Sequence, residues 1–304
     1  MKNRIFSLEW RRLKGLVLVL FLSIILSSCT ENNQENNPFF VYNFGGLEKL
    51  TPKEQIAYLH TMGYNGISLR MAKAEHVDDM PAFLSEAALY PDFNIYSAFV
   101  RYNFQDDEVD KNRWREVVDL IEDKDIALWF IFGRPKEGVD EQQVEDILRE
   151  VVAYATKKNV PVTLYPHDKC FYYTAEQALP VVKRISHPNL KLALHLCHEM
   201  KAGNVNRLDE VVSNVHEYIS FVTLSGTDKV VDRSTPRSVD RSTIKPLNKG
   251  NFDIYKVIEP LKKVGYKGPV GFINFNIDKD YPMDDYLLES LNKWKELSKY
   301  LNDN

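Results

Sequence analysis

Val160–His198 reads VPVTLYPHDKCFYYTAEQALPVVKRISHPNLKLALHLCH. Val160 to Tyr165 is a short apolar run ending at a turn-prone Pro166, and it predicts a strand. Thr174 to Ile185 predicts a helix, and Leu190 to Cys197 a second strand. A strand, a helix and a strand with short connections imply two parallel strands covered by the helix between them.

Outward from this unit the same rhythm repeats. Towards the N-terminus, strands are expected at Phe39–Phe44, Gly66–Arg70, Ile95–Tyr102 and Ile126–Phe132. Between them, Thr51 caps a helix that has Pro52 at its first position and Glu54 three residues on; it runs to Met62 and stops at Gly63. Further helices are expected over His76–Leu89, Asp110–Glu122 and Glu141–Lys158; the last carries Val144, Ile147, Leu148, Val151 and Val152 on one face. Towards the C-terminus come helix Arg207–His216, strand Ile219–Leu224, helix Phe252–Val264, strand Val270–Phe275 and helix Met283–Leu301. Eight such units over about 265 residues predict an α/β fold, a closed (β/α)8 TIM barrel spanning 38–304, rather than an open sheet. No glycine-rich dinucleotide fingerprint follows the first strand.

The chain has 304 residues, 44% of them hydrophobic, enough to bury a core without a disulfide or a structural metal. Its net charge is −4, which argues against a nucleic-acid partner. The basic residues Lys2, Arg4, Arg11, Arg12 and Lys14 precede an uncharged apolar run, Gly15 to Leu26. That run is short for a membrane span and suits a signal peptide. Leu26-Ser27-Ser28-Cys29 then resembles the lipobox of bacterial lipoproteins, which implies that residues 1–29 are a signal and that Cys29 is the lipidated N-terminus of an exported protein anchored in the cell envelope. Residues 30–37, TENNQENN, read as a polar linker. Cys170 and Cys197 remain, either paired or simply buried.

In such a barrel the chemistry sits at the C-terminal ends of the strands, and alternation identifies the inward side chains. Arg70, Tyr165, His167, His195 and Ser225 gather there, with Phe275 on the eighth strand, His198 where the sixth strand gives way to loop and Asp228 just beyond the seventh. Three of the seven histidines in one small region suit proton transfer or metal ligation, so His167, His195 and His198 are the candidate catalytic or metal-binding residues. Arg70, Tyr165, Ser225, Asp228 and Phe275 are candidate substrate contacts, the arginine for anionic or hydroxyl groups and the aromatics, Trp129 among them, for stacking. Residues 228–250 form a long loop containing VDRST twice, at Val231–Thr235 and Val239–Thr243.

At these positions the chain is similar to the sugar phosphate isomerase/epimerase family, the xylose isomerase-like TIM barrels. His195-Leu196-Cys197-His198 stands where relatives carry Asp-x-x-His, and Val162–His167, Ile244–Asp253 and Gly265–Gly271 resemble further family segments in order and spacing. The resemblance implies a carbohydrate substrate and a divalent metal held by Glu, Asp, His and Glu on strands five to eight. Here those positions are Tyr165, His195, Thr223 and Ile273, so none of the family ligands is kept. A hard cation wants oxygen ligands, so two chemistries stay open: Zn or Mn held by histidines, or metal-free acid/base work. The expected function is isomerase- or epimerase-like (or lyase) action on a sugar or glycoside, with His195→Ala abolishing it; the alternative is a non-catalytic carbohydrate-binding lipoprotein.

Overall fold

Helix starts in this chain follow capping chemistry. The Thr51 hydroxyl accepts from Glu54 N–H, and the Glu54 carboxylate accepts from Thr51 N–H at 2.8 Å. Helix α1 therefore runs Pro52–Met62, ended by Gly63 at φ 99°. Asp140 and Gln143 make the same reciprocal pair ahead of α5, Glu141–Lys157, and Thr174 caps α6, Ala175–Ile185.

In the computed structural model, which describes residues 37–277 and 281–303, eight parallel strands close into a barrel in sequence order. They are β1 Phe39–Tyr42, β2 Gly66–Arg70, β3 Asn94–Tyr102, β4 Ala127–Phe132, β5 Val162–Leu164, β6 Leu190–His195, β7 Ile219–Leu224 and β8 Val270–Phe272. The expected TIM barrel is thus the observed fold. Its lower interior is filled by Phe40, Trp129 and Phe221, whose rings meet edge-on at 5.0–6.1 Å. Gly271 makes room for this layer, because a Cβ there would stand 2.5 Å from the Phe40 ring. Trp129 is wholly buried in the core and does not reach the cavity at the barrel mouth.

The expected signal, residues 1–29, and the linker up to residue 36 lie outside the described residues. Asn37, the last residue of the expected linker, is buried against the barrel. Its side-chain amide donates to the carbonyls of Tyr266 and Gly268. Among the described residues no helix is long and apolar enough to cross a membrane. Cys170 and Cys197 are both free and buried, so the pairing left open by the sequence does not form.

Four elements depart from expectation. The helix expected over His76–Leu89 is two, α2 Ala74–Asp78 and α3 Met80–Ala87, because Pro81 is tolerated only in the first turn of a new helix. Strand β6 stops at His195, and Leu196–Ala202 forms α7, ended by Gly203 at φ 93°. Strand β8 stops at Phe272; Asn274 then donates to the Phe44 carbonyl and Asn276 turns the chain at φ 56°. The 228–250 segment contains a helix, α9 Pro236–Thr243, capped by Thr235. The two VDRST copies therefore differ. The first ends as the cap and is followed by Pro236, whereas the second is helical. Helix α4 is Glu108–Leu120, α8 Leu208–Val215, α10 Tyr255–Lys263 and α11 Met283–Asn302.

Candidate active site

The C-terminal strand ends surround a cavity of about 520 Å³. Its floor comes from β5 and β6. Tyr165, one residue beyond β5, stacks on His195 at the end of β6, with ring centroids 3.6 Å apart and planes at 20°. His195 Nδ1 meets the Thr223 hydroxyl at 2.6 Å, and its Nε2 is buried without a partner. His195 does not line the cavity; it stands one layer below, supporting Tyr165. Its ring is part of the packed interior.

His167 and His198 face each other at the cavity wall, ring centroids 4.2 Å apart. Helix α7 presents His198, which the sequence suggested would sit on a loop. The backbone of Asp168 ties the pair together. Its N–H donates to His198 Nδ1 at 3.3 Å, and its carbonyl lies 2.8 Å from His167 Nδ1. A carbonyl only accepts, so the network assigns the proton of His167 to Nδ1; His198 Nδ1 accepts, so its proton is on Nε2. The His198 Nε2 donor is buried with no partner. The His167 Nε2 lone pair faces Arg101 Nη2 at 3.5 Å.

Burial holds all three imidazoles neutral. His167 is pushed down to about 4 by desolvation and then by the Arg101 charge. His195 and His198 are held well below the ordinary histidine value, by desolvation first and by His167 second. The Tyr165 hydroxyl is pushed well up by burial, so it is a neutral hydroxyl.

Among the other expected contacts, Arg70 and Phe275 line the cavity. Phe275 is 42% exposed at the mouth and packs edge-on to Phe44 at 5.3 Å. Ser225 and Asp228 do not line it. The Ser225 hydroxyl donates to the Thr243 carbonyl, and Asp228 pairs with Lys245 at 2.5 Å. Both fasten α9 and its flanking chain over the barrel. Lys201 on α7 reaches Asp240 on α9 at 2.8 Å, with the lysine only 5% exposed. Sequence reasoning missed Arg101, Arg134 and Asp168, all of which line the cavity. Arg101 was within reach of the alternation argument, since Ser97, Phe99 and Arg101 share one face of β3. Arg134 lies past the strand end, where alternation no longer applies.

The residues at the family's metal positions do not fit a divalent cation. Tyr165 keeps its proton, His195 is bonded to Thr223 below the cavity, and Ile273 offers only hydrocarbon. Among the described residues, no three His, Cys, Asp or Glu side chains converge on one point. The guanidinium beside His167 would also repel a cation there.

A search among curated proteins returned no match. Among solved structures, the chain is similar to the IolI protein with a bound zinc atom, at 16% identity and TM-score 0.69, over 88% of this chain and 100% of that one. It is similar to the E. coli 3-keto-D-glucoside 4-epimerase YcjR at 14% identity and TM-score 0.67, over 86% and 99%. It is also similar to the D-psicose 3-epimerase of Clostridium cellulolyticum H10 solved with D-tagatose, at 12% identity and TM-score 0.66, over 88% and 100%. These likenesses are of fold. Residues 56–301 match the family described as xylose isomerase-like TIM barrel. The chain belongs to that family.

Proposed function

We propose that the barrel acts on a carbohydrate by metal-free, histidine-centred acid/base chemistry of the isomerase or epimerase kind. The observation that carries this reading is the neutral His167–His198 pair at the cavity wall, with one Nε2 a free donor and the other a lone pair. With a sugar carbonyl oxygen at His198 Nε2–H and Arg101, electron density at that oxygen is stabilised as it develops. His167 Nε2 removes the proton from the adjacent carbon, the C–H pair becomes the C=C bond of an enediolate, and the carbonyl π electrons move to oxygen. Return of the proton from His167 Nε2 to the neighbouring carbon, as that carbon's hydroxyl proton passes to the enediolate oxygen, gives the isomer, and its return to the original carbon after the enediolate has turned its other face to His167 gives the epimer. A neutral imidazole suits this donor role because it keeps its remaining proton through the cycle. The named activities of the epimerases among the structural neighbours agree in class with this reading.

The test is incubation of the purified protein with keto-sugars and keto-glycosides in chelator, with chromatography of the products. Conversion that falls at least 100-fold in His198→Asn supports the reading. Conversion that survives His198→Asn, or no conversion of any carbonyl sugar, removes it. The second reading, carbohydrate binding without turnover, rests on the loss of all four family metal positions and is what binding without conversion would indicate. We further propose that the chain is exported and lipid-anchored through Cys29, on the strength of the apolar run and Leu26–Cys29. Fatty-acid labelling that is lost in Cys29→Ser tests this.

A further inference from the structure

The cavity has two unlike walls. The segment after β5 and helix α7 supply the imidazoles of His167 and His198, and the ends of β2, β3 and β4 supply Arg70, Arg101 and Arg134. In register, Arg70 lies beside Phe99 and Arg101 beside Ile131, and Arg134 follows β4 two residues past its end, so the three line the cavity in strand order. Among the described residues none of the three pairs with a carboxylate. Arg70 packs on the Phe44 ring, 5.6 Å from its guanidinium carbon, with Glu48 acting on it only from beyond ion-pair distance, and Arg101 meets His167. Of the four acids in the same cavity, Asp110 pairs with Arg113, Asp240 with Lys201, Asp106 accepts from Asn103, and Asp168 accepts from the Tyr173 hydroxyl. A chain of net charge −4 thus keeps three cations in one partly enclosed space with no carboxylate among the described residues at ion-pair distance from them. Arg70 and Arg101 are half-buried, and two such guanidinium groups in one cavity are costly unless an anion joins them. Arg70 is pushed down by desolvation and then by Arg101.

We propose that the sugar taken by this cavity is anionic, its oxyanion held by Arg70, Arg101 and Arg134 while its carbonyl end meets His167 and His198. This rests on the carbohydrate reading above and adds the substrate class to it. A guanidinium fork matches the two oxygens of a carboxylate or of a phosphate or sulfate ester, so uronic and aldonic acids and sugar esters share the recognised chemistry. Arg101 lies between the other two in strand order and also touches His167, so an anion bound there sets the distance between the sugar and the base.

The test is calorimetric titration of the purified full chain with D-glucuronate, D-glucose 6-phosphate, D-glucose 6-sulfate, D-glucose and inorganic phosphate, at low and high salt. At least one charged sugar is expected to bind 10-fold or more tighter than D-glucose. The advantage should shrink with salt and should be lost in Arg101→Gln and Arg70→Gln. The carboxylate and ester arms identify which oxyanion the site prefers. Arg134 is exposed at the rim, and Arg134→Gln serves if the inner variants do not fold. Equal binding of D-glucose, charged-sugar binding indifferent to all three substitutions, or inorganic phosphate binding as well as every charged sugar would overturn the proposal. The two readings fail separately. A charged sugar bound but never converted leaves this inference standing without the catalysis, whereas conversion of neutral sugars alone does the reverse.

Discussion

Lowering the pH from 7.5 to 5.0 should unload stability through the buried histidines. His167 sits at about 4 in the folded barrel, against 6.5 for an ordinary imidazole. The folded value is the lower one, so the unfolded chain binds the proton first. The stability that His167 contributes is complete above about 6.5 and is lost as pH falls towards 4. At pH 5.0 the unfolded imidazole is almost fully protonated and the folded one about one-tenth so, which for His167 alone amounts to about 2 kcal/mol. His195 and His198 move in the same direction. The assay is urea unfolding at both pH values in wild type and in His167→Gln. The wild-type loss should exceed the variant's loss by about 2 kcal/mol. Equal losses would mean that His167 is not held neutral by its surroundings, and the proton assignment on which the proposed chemistry depends would fall with it.

Three further substitutions probe the interior. His195→Ala removes a buried ring stacked on Tyr165 at 3.6 Å, and should lower the unfolding free energy by about 3 kcal/mol; an unchanged melting curve would contradict its supporting role. Gly271→Ala drives a methyl group to within 2.5 Å of the Phe40 ring, and should cost about 2 kcal/mol in the same assay. Lys201→Met leaves Asp240 without its buried partner. Limited proteolysis should then cut within residues 228–250 several-fold faster, while the circular dichroism of the barrel stays as in wild type.

Much of the barrel was legible because its local signals agree with its global ones. The Thr51–Glu54 box and Gly63 fix both ends of α1, and Ile67 and Leu69 alternate cleanly along β2, whose bounds are those expected. Legibility fails where two structures compete for one stretch. Leu190–Cys197 continues the apolar run of a strand, yet the residues after His195 are also good helix formers with Gly203 placed to stop them, and tertiary context gives them to α7. The polar 228–250 segment hides α9 because its helix is amphipathic only against the barrel mouth it covers. Within the site, Tyr165 and His167 came from strand alternation, and His198 from its place just past the end of the sixth strand. The depth of His195 was not legible, because alternation gives the direction of a side chain and not its layer. Ser225 and Asp228 lie past the end of β7, where alternation no longer sets direction, and they bond to the α9 segment instead of lining the cavity.

The most direct test of the account is proton NMR of carbonyl sugars, neutral and acidic, incubated with the protein in D2O and EDTA. The account predicts exchange of the hydrogen on the carbon beside the carbonyl, with the signal decaying in wild type and persisting in His167→Gln and His198→Asn. Exchange that appears only on adding Zn or Mn and vanishes with EDTA, or that continues in both histidine variants, would contradict it.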